Sequence, residues 1–305
     1  MISIIVCTYN RDAYIYKTLE CIANNNISLN EYEILLIDNN CSDNTVSECE
    51  RFQKNYPNVQ YHYFLEKNQG LSYARNRGIK EAKGDCFLFL DDDAYVQVDY
   101  LRNLKLYLAQ FPEMMAFGGK ITPLYESGYE PDWMSPRLVP IVSAIDKGSN
   151  VVEFTGKSYP IGANMGFRKD CIDKVGMFNT ALGRTKKNML GGEEKDIFNR
   201  LHLNNMKILY LPNLIVQHVI PESRTTFDYI KRMGYGVGIS EHIRCQESKL
   251  KYSISIIKEI YKWCGSIVLG LAYLLQFKEA KSRAIVVFRW NVTKGLLTNK
   301  KYGDD

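Results

Sequence analysis

The sequence lacks the features that mark zinc-binding, exported or membrane-spanning proteins. Its eight cysteines include no CxxC pair, which argues against structural zinc and favours reduced thiols in a cytosol. The segment Ile2–Val6 has neither the basic flank nor the long apolar stretch of a secretory signal, so we expect a protein that is not exported. The uncharged stretch Trp263–Phe277 has fifteen residues, and as a helix it would reach about 22 Å, short of the roughly 30 Å hydrocarbon core.

Two nucleotide-binding signatures are also missing. No Gly-rich basic loop follows the first apolar run, which ends near Val6, and this counts against a sugar-phosphate nucleotidyltransferase. No GxGxxG motif follows that run either, which counts against a dinucleotide oxidoreductase. The 305 residues are 46% hydrophobic, enough for one large α/β domain or for a domain with an appendage.

The most informative segment that is present is an acidic triplet after an apolar run. The buried strand expected at Cys86–Leu90 leads directly into Asp91, Asp92 and Asp93. Three adjacent carboxylates repel one another, and a divalent cation that carries a phosphorylated ligand would offset this repulsion. The alternative is a charged turn after a strand.

The first 120 residues show the alternation of βαβ units. Apolar runs predict strands at 2–7, 32–37, 59–65 and 86–90, and the spacing between them predicts helices. Such units form a mainly parallel sheet, so the fold class is α/β. The segment from 123 to 158 is rich in Pro, Gly and isolated aromatic residues, which predicts a long irregular loop.

Loops at the carboxyl ends of these strands carry unusual polar residues. Ligands of open α/β sheets bind at this edge. Cys7–Arg11 could contact a base and a diphosphate, the Asp38 carboxylate could accept a hydrogen bond from a pyrimidine imide, and Arg75 in Asn68–Asn76 favours anions. Taken alone, the first two loops could equally be Asx-capped turns.

The ordered set of motifs CTYNR, IDNNCSDNT, GLSYARNRGI, FLDDD, GANMGFRKD and GGEEKDIFNRL resembles the family 2 glycosyltransferases of the GT-A fold. The resemblance covers roughly residues 1–240, and the combination is far more specific than any single motif. It implies a Rossmann-like domain that binds a nucleotide sugar through Thr8, Tyr9, Asn10, Arg11, Asp38, Asn40, Arg75, Asp91 and Asp92. It also implies a metal motif formed by Asp91 and Asp93, with Asp93 the favoured direct ligand.

The position that carries the catalytic base in this family departs from the common pattern. Family members usually have Glu-Asp there, whereas this chain has Glu193-Glu194, and we favour Glu194 over Glu193 as the base. Without the resemblance, these residues would be read as acidic residues at a helix N-terminus. His218 follows the apolar run 214–217 and is a candidate third metal ligand, although a histidine at a strand end is more often structural.

The C-terminal region has a different surface character. Between Arg244 and Lys301 there are twelve Lys or Arg against three Glu, a balance of +9, while the net charge of the whole chain is only +5. We therefore divide the chain into a GT-A domain at 1–240, with a nucleotide-sugar half at 1–120 and an acceptor half at 121–240, and a helical extension at 241–305. Basic residues that flank an apolar face suit a helix lying on an anionic membrane. A core helix pair or a dimer interface is an equal alternative.

Together these observations predict a metal-dependent, inverting glycosyltransferase that uses Mn²⁺ or Mg²⁺. The expected donor is a nucleotide sugar, most simply a UDP-sugar, and the expected acceptor is a glycan or lipid-linked glycan used in cell-surface polysaccharide synthesis. We expect a cytoplasmic location at the inner face of the membrane and no nucleic-acid partner. The alternatives are a catalytically silent nucleotide-sugar-binding scaffold and a sugar-phosphate nucleotidyltransferase.

Overall fold

The computed structural model of the protein describes residues 1–156, 158–183, 192–245 and 248–298. The chain forms two compact units: Met1–Pro123 with Ser143–Val219, and Leu124–Val142 with Ile220–Asp305. The domain boundaries predicted at residues 120 and 240 stay predictions. We also expect the loop 123–158, together with residues 183–192, to shape the acceptor site, but residues 184–191 lie outside the described residues.

The first unit is built around one sheet. Its strands are β1 Ile2–Thr8, β2 Tyr32–Asp38, β3 Tyr61–Leu65, β4 Cys86–Asp91, β5 Ala94–Val96, β6 Met114–Tyr125, β7 Val152–Glu153, β8 Met165–Arg168 and β9 Lys207–Ile220. Its helices are α1 Asp12–Ala23, α2 Thr45–Asn55, α3 Leu71–Glu81, α4 Tyr100–Gln110, α5 Lys169–Val175 and α6 Glu193–Leu203. The four predicted strands therefore exist, within one or two residues of their predicted ends.

The sheet has the order β3-β2-β1-β4-β8-β6-β9-β5, and β7 pairs with β9. The first four strands in this order are parallel, whereas β8 joins β4 and β6 in antiparallel pairs. In the parallel part, Thr8 lies opposite Asp38 and Cys7 opposite Asp91. The polar loops that follow β1, β2 and β4 are thereby brought to one edge of the sheet.

Two apolar layers cover the sheet, one on each face. Alternate strand residues point to opposite faces, so Ile4 and Val6 pack with Leu19 of α1, while Ile5 packs with Ala74 of α3. The central strands are buried on both faces, which accounts for their nearly continuous apolar sequences. The sheet therefore provides a rigid base for the loops at its edge.

The irregular character predicted for 123–158 is largely confirmed. Apart from the end of β6 and the two-residue β7, the regular structure of this segment is a 3-10 turn at Val139–Val142. Part of the segment belongs to the second unit, where the Trp133 indole N–H donates to the Thr225 carbonyl (2.6 Å). The Tyr229 hydroxyl donates to the Ile141 carbonyl (2.9 Å), which holds the segment against the following helices.

The second unit contains three long helices, α7 Phe227–Cys245, α8 Lys249–Leu275 and α9 Glu279–Leu296. Small residues allow α7 and α9 to approach closely: a Cβ added at Gly238 would lie 2.1 Å from the Val292 carbonyl oxygen. The buried Glu259 carboxylate of α8 accepts two 3.2 Å hydrogen bonds from Arg289 of α9. Among the described residues, no helix combines the length and apolar composition needed to cross a bilayer.

Candidate active site

The acidic triplet lies where β4 ends and the chain turns into β5. Because β5 pairs antiparallel with β9, Ala94 lies opposite His218, and the histidine is brought to the triplet. The His218 Nε2 atom is 3.0 Å from Asp93 Oδ1, and both side chains are 2% exposed. Asp91, Asp93 and His218 can each offer one ligand atom within 4.8 Å of the others.

The chemistry of this donor set fits a divalent cation. Two carboxylate oxygens suit Mg²⁺ or Mn²⁺, and an imidazole nitrogen is a common ligand of transition metals. Burial of the neighbouring Asp92 and Asp93 carboxylates costs free energy unless a positive charge compensates them. The cluster is therefore a possible metal site, and its ligand types do not by themselves select one metal.

Arg11 contributes positive charge on the other side of the triplet. Its guanidinium lies 3.6 Å from Asp92 Oδ1 and 3.5 Å from Asp93 Oδ2. Burial alone would lower the pKa of Arg11, but Asp92 and Asp93 raise it on balance. Burial and the neighbouring Asp93 raise the pKa of Asp92 above its ordinary value, although Arg11 opposes this shift. The triplet thus carries more negative charge than Arg11 can neutralise.

A second charged group joins α3 to the start of α6. Arg75 donates from Nη1 to Glu193 Oε1 and from Nη2 to Glu194 Oε1, each at 3.1 Å. The Gly162 backbone N–H also donates to Glu194 Oε1, at 3.0 Å. We call Arg75, Glu193, Glu194 and Gly162 the Arg75 cluster.

The Arg75 cluster leaves no room for a side chain at Gly162. A Cβ added there would lie 2.2 Å from both Arg75 Nη2 and Glu194 Oε1. Arg75 and Glu193 are almost completely buried, and Glu193 Oε2 has no hydrogen-bond partner among the described residues. One guanidinium therefore holds two carboxylates in fixed positions.

The electrostatics of the Arg75 cluster favour a carboxyl group that can exchange a proton near neutral pH. Burial raises the pKa of Glu194 to about 7, with Glu193 and Asp91 adding to the shift and Arg75 opposing it. The effect of Asp91 also indicates that the acidic triplet and Glu194 are close enough to interact electrostatically. A carboxyl group with a pKa near 7 is suited to general base catalysis.

The loops predicted to bind the nucleotide lie at the same edge of the sheet. Asp38 is buried, and its Oδ1 accepts from the Cys41 backbone N–H (2.7 Å) while its Oδ2 accepts from the Tyr63 hydroxyl. Its carboxylate is thereby oriented, and it keeps further lone pairs for a ligand.

Two of the predicted nucleotide contacts adopt the left-handed backbone conformation. Asn10 has φ 53° and Asn40 has φ 66°, a region that asparagine tolerates better than most residues. The Asn10 side chain accepts from the Ser42 N–H (2.8 Å), and the Asn40 side chain donates to the Lys67 carbonyl (2.8 Å). Both side chains thus link neighbouring loops, and Thr8 and Tyr9 precede Asn10 at the end of β1. The predicted nucleotide contacts of all these residues stay predictions.

Asn39, which lies between two predicted site residues, is not itself among the residues predicted from the sequence. Its amide donates to the carbonyls of Glu66 and Asn68 at 3.0 and 2.8 Å, and its Oδ1 accepts from the Gly70 N–H at 2.7 Å. These bonds fix the loop that precedes α3 and thereby the position of Arg75. The only signal in the sequence is its place directly after Asp38.

The comparisons with known proteins agree with this architecture. Residues 3–176 match the family described as Glycosyl transferase family 2. The chain belongs to this family. The resemblance found in the motifs is confirmed, and so is the prediction of a glycosyltransferase at the level of the family.

Three relatives illustrate the match. The glucosyl-dolichyl phosphate glucuronosyltransferase of Haloferax volcanii is 24% identical over 248 residues, which cover 79% of this chain and 76% of the relative. The mannosyltransferase PcManGT of Pyrobaculum calidifontis, solved with GDP-Man and Mn²⁺, has a TM-score of 0.64 at 14% identity and covers 98% of this chain and 88% of its own.

The third is S. aureus TarS 1-349, solved in complex with UDP. It has a TM-score of 0.56 at 18% identity, with 99% of this chain and 92% of that chain covered. At sequence identities this low, the two solved structures support the fold alone. Their structural similarity confirms the predicted GT-A fold class, a mixed α/β domain followed by C-terminal helices.

Proposed function

We propose that the protein is an inverting, metal-dependent glycosyltransferase that moves a sugar from a nucleotide diphosphate to a hydroxyl group. The observation that carries this proposal is the pairing of two groups in one unit: a possible metal site at Asp91, Asp93 and His218, and a braced carboxylate at Glu194. A metal that stabilises the leaving group and a base that deprotonates the attacking hydroxyl both promote displacement of a nucleotide diphosphate by an alcohol.

Asp91, Asp93 and His218 would hold the cation. A divalent cation bound there would stabilise negative charge on the diphosphate leaving group. Arg11, which already contacts Asp92 and Asp93, would supply a further positive charge near the phosphates. Mn²⁺ is supported by its presence in the solved Pyrobaculum mannosyltransferase, and Mg²⁺ suits the carboxylates equally well.

Glu194 would act as the general base. Arg75 and Gly162 both donate to its Oε1 atom, so the lone pairs of Oε2 are the natural acceptors for a proton from the attacking hydroxyl. That hydroxyl would attack the anomeric carbon on the face opposite the nucleotide, which inverts the configuration in a single step. Glu193, held by the other nitrogen of Arg75, would fix the orientation of the guanidinium.

We propose a UDP-sugar as the donor. Asp38 has an oriented carboxylate at the edge of the sheet, which suits a pyrimidine imide N–H, and the fold is similar to that of TarS solved with UDP. Thr8, Tyr9, Asn10 and Asn40 would complete the pocket. A purine nucleotide is the competing donor, because the similar mannosyltransferase was solved with GDP-Man.

We also propose that the acceptor is a glycan or lipid-linked glycan used in cell-surface synthesis, at the cytoplasmic face of the membrane. The name of the Haloferax relative, which acts on a dolichyl phosphate-linked sugar, supports a lipid-linked acceptor. In this proposal residues 1–240 form the catalytic domain, and the basic extension 241–305 makes the membrane contact.

The first test is calorimetric titration with UDP, GDP and CDP, with and without Mn²⁺. Binding of UDP that depends on Mn²⁺ and is lost in Asp93→Ala is the expected result. Tighter binding of GDP would overturn the donor assignment. The absence of nucleotide binding under every condition would favour the silent-scaffold alternative.

The second test compares two matched variants, Glu194→Gln and Glu193→Gln. Glutamine keeps the shape and the Oε1 acceptor but cannot take a proton, so Glu194→Gln should keep UDP affinity and lose roughly 10²- to 10⁴-fold in kcat. Glu193→Gln should lose less, because in the proposal it only positions Arg75. The reverse order of losses would assign the base to Glu193.

A further inference from the structure

The second unit contains an open groove whose lining includes none of the predicted site residues. It has a volume of about 830 Å³ and is lined by residues of α8 and α9 together with Arg137 and Leu138. This volume is in the range of pockets that hold small-molecule ligands, roughly 300–1,000 Å³. All of its lining residues belong to the same unit.

The lining of the groove combines an apolar wall with cations. Leu269, Ala272, Ile285 and Phe288 supply aliphatic and aromatic surface, while Arg137 and Lys262 supply positive charge. An occupant with a hydrocarbon chain and an anionic group would satisfy both parts. A sugar or a nucleotide would leave the apolar wall uncovered.

The apolar surface continues from the groove along α8 and past its end. Val268, which lines the groove, is 67% exposed, and outside the groove Leu271 is 56% exposed, Leu275 83% and Phe277 94%. Contiguous exposed side chains of this size are uncommon on soluble proteins and mark sites of interaction. A hydrocarbon chain bound in the groove would therefore lie next to an apolar protein surface that itself favours contact with lipid.

The charge of the two helices selects an anionic partner. Between residues 248 and 298 there are nine Lys or Arg and two Glu. One of the two, Glu259, is paired with Arg289 at 3.2 Å and lies 3.8 Å from Lys262, so these two cations exceed its single negative charge by one. The remaining charge on this surface is almost entirely positive, which argues against a cationic or zwitterionic head group as the specific ligand.

We propose that this groove binds the hydrocarbon chain of a lipid phosphate, whose phosphate is held by Arg137 and Lys262. The proposal deepens the membrane part of the proposed function and rests on it only for the identity of the natural lipid. It assigns a lipid site to the second unit, separate from the residues that carry out transfer.

The probe is dodecyl phosphate below its critical micelle concentration, titrated calorimetrically into the full chain. Inorganic phosphate provides the head group alone, and dodecyl maltoside provides the chain alone. Saturable binding of dodecyl phosphate, at least about tenfold tighter than either partial probe, is expected. Equal or absent binding of all three would overturn the proposal.

A pair of glycines gives a matched test of the groove. A Cβ added at Gly265, which lines the groove, or at Gly236 of α7, which does not, meets no atom within 4 Å. Leucine is a better helix former than glycine, so neither variant should unfold. Gly265→Leu should weaken dodecyl phosphate binding at least about tenfold by filling the groove, whereas Gly236→Leu should not change it.

If lipid merely adsorbed to the surface, the extra leucine at Gly265 would strengthen binding. Unchanged or stronger binding would therefore refute the groove.

The two cations of the groove, Arg137 and Lys262, are tested against a matched control. Arg137→Gln with Lys262→Gln should weaken dodecyl phosphate binding by roughly fivefold per charge removed. Lys249→Gln with Lys251→Gln removes the same charge from α8 outside the groove lining and should have little effect. Equal losses in the two double variants would refute a specific phosphate contact.

UDP titration of each variant tests the proposed function separately from the lipid groove. Lipid binding is measured without nucleotide, so a variant can lose lipid binding and keep UDP binding, or keep lipid binding and lose UDP binding.

Discussion

Replacement of Gly162 by alanine tests the Arg75 cluster with a single methyl group. The added Cβ would lie 2.2 Å from Arg75 Nη2 and 2.2 Å from Glu194 Oε1. Separations below 3.0 Å essentially never occur for real Cβ atoms, so both charged atoms must withdraw. Gly162 lies outside the positive-φ region, and alanine is therefore compatible with its backbone.

The size of the effect follows from the bonds that meet at Glu194 Oε1. This atom accepts at 3.1 Å from Arg75 and at 3.0 Å from Gly162 itself. A withdrawal of almost 1 Å would break at least one of them, and a hydrogen bond to a charged group is worth about 1.5–3 kcal/mol. We expect kcat to fall by roughly 10- to 150-fold, because the base would leave its position for proton transfer.

The assay is the release of UDP from a saturating UDP-sugar, together with calorimetric UDP affinity and thermal unfolding. The affinity for UDP with Mn²⁺ should stay within a factor of about two, since the change is directed at the base rather than at the metal ligands. Gly236→Ala, a glycine with open space around its Cβ position, serves as the control. Wild-type kcat in Gly162→Ala would show that the Arg75 cluster does not position a catalytic group.

Three further predictions concern the pH dependence of kcat, the affinity for Mn²⁺ and the stability of the fold. Because only the carboxylate form of Glu194 can accept a proton and its pKa is raised to about 7, kcat should decrease as the pH falls through this value; a flat profile between pH 5 and 8 would contradict the assignment. His218→Gln should weaken Mn²⁺ binding by roughly 10-fold or more in calorimetry, and unchanged affinity would remove His218 from the ligand set. Arg289→Met should lower the free energy of unfolding by about 2 kcal/mol, because the buried Glu259 loses its hydrogen bonds from Arg289 and keeps only the Thr293 hydroxyl and Lys262; adding Glu259→Gln should restore much of this loss in denaturant melts.

Much of the first unit can be predicted from the sequence, because its strands are buried on both faces. The runs 2–7, 32–37 and 86–90 are almost continuously apolar, and the structure places strands there. The parallel arrangement follows from the helices between them. Consequently the convergence of the loops after β1, β2 and β4 at one edge of the sheet can be expected from the sequence alone.

The partners of the Arg75 cluster could not be predicted in this way. Arg75 and Glu194 are 119 positions apart, and their contact depends on where α6 begins and on the absence of a side chain at Gly162. The contact between Arg75 and the nucleotide, predicted from the sequence, stays a prediction. In the structure, two terminal nitrogens of the guanidinium contact the two glutamates.

The division of the chain into two units could not be predicted from the sequence either. Segment Leu124–Val142 belongs with Ile220–Asp305, although it falls within the predicted acceptor half. The contacts that hold it come from isolated side chains, such as the Trp133 indole on the Thr225 carbonyl. Such contacts follow no periodic pattern, so an irregular segment does not indicate which unit it will join.

The charge balance of the site favours a cation at the possible metal site. Five carboxylates, those of Asp91, Asp92, Asp93, Glu193 and Glu194, are linked by ion pairs or electrostatic effects to two guanidiniums, those of Arg11 and Arg75. When all five are ionised, the surplus of three formal negative charges would repel a diphosphate, and the surplus is smaller when Asp92 or Glu194, whose pKa values are raised, holds a proton. A divalent cation at Asp91, Asp93 and His218 would offset most of this surplus, whereas Arg75 cannot, because it already forms ion pairs with Glu193 and Glu194. Affinity for a nucleotide diphosphate should therefore depend on the cation much more steeply than affinity for the uncharged nucleoside, and equal metal dependence of the two would refute this reasoning.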